Sequence, residues 1–501
     1  MNPIVVVAGI AIVSGLIFTW VARAVARPVG LMDRPDGRRK IHAQPVAVVG
    51  GIALFASTAF SVATAAFFSE DVLAAIAADF RAPIALLMAG AIIASVGLLD
   101  DIFDLRARQK LAGQCLAISV LVFGGDFLIA GVSLFGATVE LGLLAIPVTF
   151  LWFFASVNAL NLLDGMDGML GSVGAMICVT LGAMAFEHGH PLEGLIAIAM
   201  AGGLIGFLRF NLPPASVYLG DCGSMLIGLT VAALATHASL KGPTLAIASP
   251  LALLVLPFAD TAAAIVRRKL TGRGLAIADR GHLHHVLQNR GLTRVRALIL
   301  IASLCCIASI GALTSSILHN DLAALAGSLC IGAILLSGGL FGGVELRLIR
   351  ERSLGLFNRL RGQTAPVEME VRLQGSADWS ELWNQIALQA ADLNLNSFCL
   401  DVNAPAWHEG YHRRWNRARS SSDKLSHWQV ELPLLGHGQL IGRLTVSGSR
   451  DRECIAEKLV VLSKIVEQAE TLASRICEPS MLASRPAAPS ILTLTPLAAS
   501  A

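Results

Sequence analysis

Charged residues are scarce in this chain of 501 residues. Lys, Arg, Asp and Glu make up 15% of the sequence and hydrophobic residues 55%, whereas a soluble protein carries about 25% charged residues. The shortage falls in the first two-thirds of the chain, where apolar stretches of about 20 residues recur, each long enough to cross a bilayer. The scarcity excludes a purely soluble protein and predicts an all-α polytopic membrane protein. The first stretch lacks a basic start and a small-residue cleavage site, so we do not expect a cleaved signal peptide.

Closely paired cysteines are also missing. The chain has nine cysteines but no C-x-x-C pair, so the sequence suggests neither a zinc site nor a disulfide framework. We therefore interpret the cysteines as small buried hydrophobic residues. Tyrosine is rarer still: there are two, and one of them, Tyr218, lies in a polar motif beside an aspartate.

The apolar stretches predict eleven membrane spans with basic loops on one side only. The alternate loops contain only Arg81 and Lys241, while all other loop Lys and Arg residues lie in the remaining set. Because cytoplasmic loops are enriched in Lys and Arg, we expect a periplasmic N-terminus and a cytoplasmic region after the last span. The predicted spans are 3–24, 46–68, 82–99, 111–131, 141–160, 168–186, 192–209, 222–240, 246–266, 297–317 and 322–343.

Five polar motifs all fall in loops of the predicted cytoplasmic side. This shared side predicts that they form one site. The motifs are "DRPDGRRKIHAQPVAVVGG" (33–51), "GLLDDIFDLRARQK" (97–110), "NALNLLDGMDG" (158–168), "VYLGDCGS" (217–224) and "RRKLTGRGLAIADRGHLHHVLQNRGL" (267–292).

The aspartates in these motifs favour phosphate and metal chemistry. The D-D-x-x-D pattern of Asp100, Asp101 and Asp104 indicates a Mg²⁺ site at first sight, because Mg²⁺ prefers oxygen ligands. Asp221 lies between glycines, which lets the backbone approach a phosphate or a metal. Tyr218 either stacks on a nucleobase or anchors the chain at the membrane interface.

The histidine cluster of the last motif has two readings of its own. The arginines and the H-x-H-H pattern suit recognition of phosphate and sugar hydroxyl groups. The same pattern also fits a metal site, but no Cys or carboxylate accompanies it at ligand spacing. We therefore predict a cationic substrate-binding loop.

In this order and combination, the motifs resemble the polyprenyl-phosphate N-acetylhexosamine-1-phosphate transferases (glycosyltransferase family 4). The nearest branch resembles the undecaprenyl-phosphate N-acetylglucosaminyl-1-phosphate transferases, and the phospho-N-acetylmuramoyl-pentapeptide transferases are relatives. The resemblance covers residues 1–343. It departs where "PVAVV" precedes Gly50 and Gly51, since the family usually has Pro and a small or basic residue there. The departure leaves the shape of the first inner loop open.

The resemblance implies the reaction and its partners. A UDP-N-acetylhexosamine, by default UDP-N-acetylglucosamine, would donate its sugar 1-phosphate to undecaprenyl phosphate and release UMP. The implied cofactor is Mg²⁺, with Mn²⁺ as a substitute. The implied location is the bacterial inner membrane, with the active site on its cytoplasmic face. We expect no nucleic-acid partner, and a homodimer is one option for the assembly.

The resemblance also implies a role for each matched residue. One of the two adjacent aspartates would position or deprotonate the acceptor phosphate, or alternatively attack the donor first to form a covalent aspartyl phosphate. Asp104 receives no role. The implied metal ligands are Asp221 and Asn161, the catalytic residues are Asp100, Asp101 and Asp164, and the substrate-binding residues are Lys110, Asp167, Tyr218, Arg280, His282, His284 and His285.

Two other functions remain open at this point. An intramembrane prenyltransferase also uses D-D-x-x-D, but it leaves "YLGDCGS" and "RGHLHH" unexplained. A transporter would place its charges near the middle of the membrane, whereas these carboxylates cluster at one face.

The last third of the chain has a different composition. Residues 1–343 are predicted to form the transferase domain, and 344–365 a basic linker along the inner membrane surface. Residues 366–477 alternate in patterns that predict β-α-β-β-β-α, a small cytoplasmic α/β domain that resembles a GAF-like sensor module. Residues 478–501 are predicted to be disordered.

Overall fold

The computed structural model of the chain separates into two compact units, residues 1–345 and 346–501. The structure describes residues 3–33, 45–238, 240–241, 244–271, 281–340, 343–360, 367–374, 377–390, 393, 395–404, 407, 409–416, 427–449 and 455–483.

The first unit is helical. Polar side chains begin several of its helices: the Ser69, Thr293 and Asn320 side chains accept backbone N–H groups of the first turn that follows each of them, as helix N-termini require. The helices are α1 (Pro3–Val29), α2 (Gly50–Phe68), α3 (Glu70–Ala78), α4 (Arg81–Phe103), α5 (Ala107–Gly124), α6 (Ala145–Leu163), α7 (Met169–Glu187), α8 (Pro191–Asn211), α9 (Gly220–Ala238), α10 (Ala248–Leu253), α11 (Val255–Leu270), α12 (Leu283–Asn289), α13 (Arg294–Leu318), α14 (Asp321–Ser337) and α15 (Gly343–Leu360), which begins in this unit.

The polytopic membrane class is confirmed. Within the described residues, seven helices are long and apolar enough to cross a membrane, namely α1, α2, α4, α6, α7, α8 and α13. The other four predicted spans overlap with α5, α9, α14 and the pair α10–α11, which are not among these seven. That pair is one predicted span broken at Leu254. Pro257 explains the break, because its ring would clash with the carbonyl four residues earlier in a continuous helix.

Two small sheets join loops at the ends of the helices. In the first, β2 pairs with β1 in antiparallel and with β5 in parallel orientation, so the segment before α2 lies beside the segment before α9. In the second, the strand order is β4-β3-β7-β6. The strands are β1 (Met32–Asp33), β2 (Val46–Val48), β3 (Gly131–Leu134), β4 (Ala137–Glu140), β5 (Val217–Tyr218), β6 (Leu240–Lys241) and β7 (Thr244–Ala246).

Helix α9 packs in the interior of the first unit, with buried residues such as Ile227 and Val231 along its length. A glycine allows α4 to approach it: a Cβ at Gly97 would lie 2.4 Å from the backbone nitrogen of Cys222. Only a residue without a side chain fits there. The close packing brings the end of α4 beside the beginning of α9, and this juxtaposition positions the site.

The second unit is an antiparallel sheet with two helices, α16 (Trp379–Ala390) and α17 (Ile455–Ala483). The strand order is β11-β12-β9-β10-β8. Trp379 and Trp383 are buried in its core with Phe398. The strands are β8 (Val367–Gln374), β9 (Leu395–Ala404), β10 (Glu409–Asn416), β11 (His427–Gly436) and β12 (Gln439–Ser449).

Strand β10 is absent from the predicted element order. Its inward positions are held by Tyr411, which is buried, and by Arg413, whose guanidinium lies 5.1 Å from the ring centre of Trp383. Because an arginine occupies a core-facing position, the apolar alternation typical of a strand is hidden. Helix α17 extends to Ala483, past the predicted start of the tail at Glu478.

Candidate functional site

Four helix ends meet at one end of the first unit; Lys110 of α5 connects those of α4 and α9, and Asn161 of α6 joins them through Asp221. Its ammonium donates to Asp100 Oδ2 at 2.9 Å and also to Asp221 Oδ2. Asn161, near the end of α6, donates its amide to Asp221 Oδ1 at 2.8 Å and to Ser224 Oγ at 2.7 Å. The carboxylate of Asp221 is therefore held between an ammonium group and an amide at the mouth of α9.

Asp101 caps the beginning of α9. Its two carboxylate oxygens accept the backbone N–H groups of Asp221 at 2.9 Å and Cys222 at 3.2 Å. These N–H groups belong to the first turn, which has no partners inside the helix. Gly220 has φ +68, and a Cβ there would lie 2.4 Å from Asp101 Oδ2. The second aspartate of the pair thus fixes the helix that carries Asp221.

We expect Asp101→Ala to lower the free energy of unfolding by about 1–2 kcal/mol, because the variant loses a helix cap. Asp101→Asn keeps one acceptor oxygen and should lose less. The measurement is thermal unfolding of the detergent-solubilised full chain. Asp104→Asn is the matched control, since Asp104 is exposed on the same helix end and its φ of 53 is tolerated by Asn. An unchanged melting temperature in Asp101→Ala contradicts the capping role.

The loop after α6 adds two more carboxylates. Burial and the nearby carboxylate of Asp221 raise the pKa of Asp164 to about 8. Asp167 accepts the backbone N–H of Ala215 at 3.1 Å and lies 3.7 Å from an Arg294 nitrogen. These contacts place both aspartates of the "DGMD" segment at the same end of the unit as Asp221.

Tyr218 lies close to this loop. It is half-buried and is the last residue of β5, where it pairs with Val48 of β2. Burial and the charge of Asp167 raise the pKa of Tyr218 to about 12. An aromatic ring and a carboxylate are therefore neighbours beside the first turn of α9.

The histidine cluster packs against the same loop. His284 is 3% exposed, and its ring lies 6.2 Å from the His282 ring and 4.1 Å from the His285 ring, centre to centre. Burial and the neighbouring His285 hold the pKa of His284 well below its usual range. A Cβ at Gly165 would lie 2.3 Å from the His284 ring. The structure places His284 beside Gly165 of the loop after α6, with His282 and His285 next to it, whereas Arg280 lies outside the described residues.

Three side chains near the site escaped the sequence analysis. Ser224 accepts from Asn161. Gln114, buried in α5, exchanges hydrogen bonds with Asn158 at 3.1 and 3.5 Å. Asp260, buried in α11, lies 2.9 Å from a nitrogen of His282. Each of the three lies inside a predicted membrane span, and this position could have identified it. A polar or ionisable side chain is energetically costly inside a membrane, so such a residue is a candidate functional residue.

The donor set around Asp221 suits a magnesium ion. In the described part of the chain, no three His, Cys, Asp or Glu side chains form a complete metal cage. Mg²⁺ does not need one, because it is commonly bound by one or two carboxylates together with waters and substrate phosphates. Asp221 and Asn161 supply oxygen ligands, and Asp100 and Asp101 bring two more carboxylates to the same helix ends. The residues around Asp221 therefore fit a magnesium ion.

Comparison with known proteins gives consistent matches. The profile of glycosyl transferase family 4 matches residues 83–239. A probable undecaprenyl-phosphate N-acetylglucosaminyl 1-phosphate transferase of Bacillus subtilis is 30% identical over 62% of this chain and 85% of its own length. A decaprenyl-phosphate N-acetylglucosaminephosphotransferase of Mycobacterium tuberculosis is 33% identical over 64% and 83%. The undecaprenyl-phosphate alpha-N-acetylglucosaminyl 1-phosphate transferase of Escherichia coli K12 is 30% identical over 59% and 80%.

Proposed function

The chain belongs to glycosyl transferase family 4, and we propose that the cluster of Lys110, Asn161 and Asp221 is the centre of its reaction. The enzyme transfers N-acetylglucosamine 1-phosphate to a polyprenyl phosphate. One observation carries the placement of the site: the Asp221 carboxylate is held at a helix mouth by an ammonium group that also binds Asp100. Transfer between two anionic phosphates needs cations and oxygen ligands in this arrangement. The matched relatives give no support to a prenyltransferase or a transporter.

We propose UDP-N-acetylglucosamine as the donor, with the uracil held by Asp167 and Tyr218. A carboxylate can accept a hydrogen bond from the uracil N–H, and an aromatic ring can stack on the base. The diphosphate and sugar would lie towards His282, His284 and His285, with Arg280 assisting. UDP-N-acetylgalactosamine is the competing donor, since both sugars carry the same charged groups.

Asp221 would hold the magnesium ion, and Asn161 would orient the Asp221 carboxylate and share in binding the ion. Bound there, the ion would neutralise negative charge on the donor diphosphate. Asp164 would support the pocket beside the ion. Mn²⁺, which accepts the same oxygen ligands, is the expected substitute.

We infer that the acceptor phosphate attacks the donor directly. An oxygen of the lipid phosphate forms a bond to the phosphorus that carries the sugar, the bond from that phosphorus to the UMP oxygen breaks, and UMP leaves with the electron pair. Asp101 is a poor nucleophile, because both its oxygens accept backbone N–H groups. Asp100 accepts from Leu105 N at 2.8 Å and from Lys110. The Asp100–Lys110 pair is therefore better suited to orient the acceptor phosphate than to form a covalent intermediate.

The membrane arrangement completes the proposal. We propose eleven spans in the inner membrane, with the N-terminus periplasmic and the site cytoplasmic. The bias of Lys and Arg to alternate loops supports this orientation, as does the charge of a nucleotide donor, which cannot cross the bilayer. A GAF-like role for the second unit and a homodimeric assembly stay predictions.

The test is an assay of UMP release by the purified, detergent-solubilised full chain. We expect UMP from UDP-N-acetylglucosamine only when undecaprenyl phosphate and Mg²⁺ are both present, with one lipid diphosphate formed per UMP. A panel of UDP-sugars identifies the preferred donor. Failure to release UMP from any of them overturns the proposal. A burst of UMP equal to the enzyme concentration in the absence of acceptor would contradict direct attack and support the covalent aspartyl phosphate.

A further inference from the structure

Asp260 is a buried carboxylate to which the proposed reaction gives no role. It lies in α11 and is 3% exposed. Its Oδ2 is 2.9 Å from Nδ1 of His282, and its Oδ1 accepts the backbone N–H of Leu283, the first residue of α12, at 3.0 Å. One side chain thus holds both the backbone and the ring at the beginning of the histidine segment.

The contact determines how the His282 ring is presented. An ionised carboxylate can only accept hydrogen bonds, so the proton of the pair lies on His282 Nδ1. Nε2 is on the opposite side of the ring and points away from Asp260. The His282 ring is nearly parallel to that of His284, with 9° between the planes, and His284 contacts the Gly165 position. Asp260 therefore fixes the His282 ring, which lies beside His284, and His284 packs against the loop after α6.

A second charged residue on the same helix supports this segment. Arg267 follows Asp260 by about two helical turns and binds Glu345. A Cβ at Gly281 would lie 2.6 Å from Arg267 Nε. Buried ion pairs are weak evidence for stability, because desolvation offsets much of their attraction. Asp260 and Arg267 both contact the short segment that begins at Gly281. Their contacts therefore favour a role in orienting this segment.

We propose that Asp260 is a positioning residue for the transfer reaction, acting through His282. By accepting the Nδ1–H it holds the imidazole tautomer that presents Nε2 to the phosphate groups of the donor. The inference rests on the proposed function. Asp260 itself would contact no substrate. Among the described residues, His282 contacts Asp260 and lies beside His284, and Arg267 lies beside the preceding Gly281.

The first test is a double-mutant cycle in the UMP-release assay with full-length protein. Asp260→Asn has the same shape, but its NH₂ group forces the other tautomer of His282, so we expect kcat to fall about 10- to 100-fold with little change in KM. In the background of His282→Ala, Asp260→Asn should cause no further loss. Additive losses, or full activity of Asp260→Asn, overturn the inference.

Glu193→Gln is the matched control. Glu193 lies 3.1 Å from Nδ1 of His237, a carboxylate–imidazole pair at the opposite end of α9 from Asp221. We expect this variant to keep wild-type kcat and KM. An equal loss in Glu193→Gln shows a general effect of such pairs on the fold and contradicts the specific role of Asp260.

The second test does not depend on activity. In ¹⁵N-histidine spectra of the full chain, we expect one Nδ1–H signal that His282→Ala removes and Asp260→Asn converts to the Nε2–H form. Persistence of that signal in Asp260→Asn overturns the inference. If the wild type shows the signal but releases no UMP, the proposed function fails instead, and the link between Asp260 and catalysis fails with it.

Discussion

Asp221→Asn is expected to lower the rate of UMP release about 1,000-fold. The variant replaces one carboxylate oxygen by an NH₂ group, which cannot bind a cation. Metal ions contribute several kcal/mol to stabilising charge in the transition state of such transfers, and about 1.4 kcal/mol corresponds to a factor of ten in rate. The measurement is kcat with saturating UDP-N-acetylglucosamine and undecaprenyl phosphate.

The control for Asp221→Asn is Asp104→Asn, which removes a carboxylate from the same end of the unit. Asp104 is exposed, and its backbone N–H bonds back to Asp100, so this variant should keep wild-type activity. Thermal unfolding of both variants separates loss of chemistry from loss of fold. An Asp221→Asn enzyme that keeps a tenth or more of the wild-type rate while folded contradicts the metal assignment.

The convergence of Lys110, Asn161 and Asp221 could be predicted from the sequence because charge sidedness is a global signal. Loop charge assigns each motif to a membrane face, and motifs on one face of a bundle can meet. Which side chains then contact each other cannot be predicted in this way, because it depends on how the helices pack. Nothing in "GLLDDIFD" distinguishes Asp100, which binds Lys110, from Asp101, which caps α9.

The features that escaped prediction have local physical causes. Asp260 lies inside an apolar run, and its partner His282 follows it by 22 positions in the sequence, so their pairing has no pattern in the sequence. The break at Leu254 is a consequence of Pro257, whose effect on a helix depends on its position in the turn. In the second unit, Arg413 lies over Trp383 at a core-facing position, and therefore β10 does not show the apolar alternation of a strand.

Lys110→Met should lower kcat about 100-fold and, at the same time, lower the Mg²⁺ concentration needed for half-maximal activity. The ammonium binds both Asp100 and Asp221, so its removal takes away a positive charge that both stabilises transferred phosphate and competes with the metal. Two unit charges about 4 Å apart interact by about 1 kcal/mol in water, so the ammonium and a divalent ion at that distance repel by about 2 kcal/mol. The half-saturating Mg²⁺ concentration is therefore expected to fall about thirtyfold. The measurement is a Mg²⁺ titration of UMP release.

Two further variants make the Lys110 result decisive. Lys110→Arg keeps the charge in a larger, planar group, and we expect it to keep the wild-type Mg²⁺ dependence at a reduced kcat. Arg108→Met removes an exposed positive charge from the same helix and should change neither quantity. A Lys110→Met enzyme that needs more Mg²⁺ than the wild type shows that the ammonium assists metal binding, and this outcome rejects competition between the two cations for Asp221.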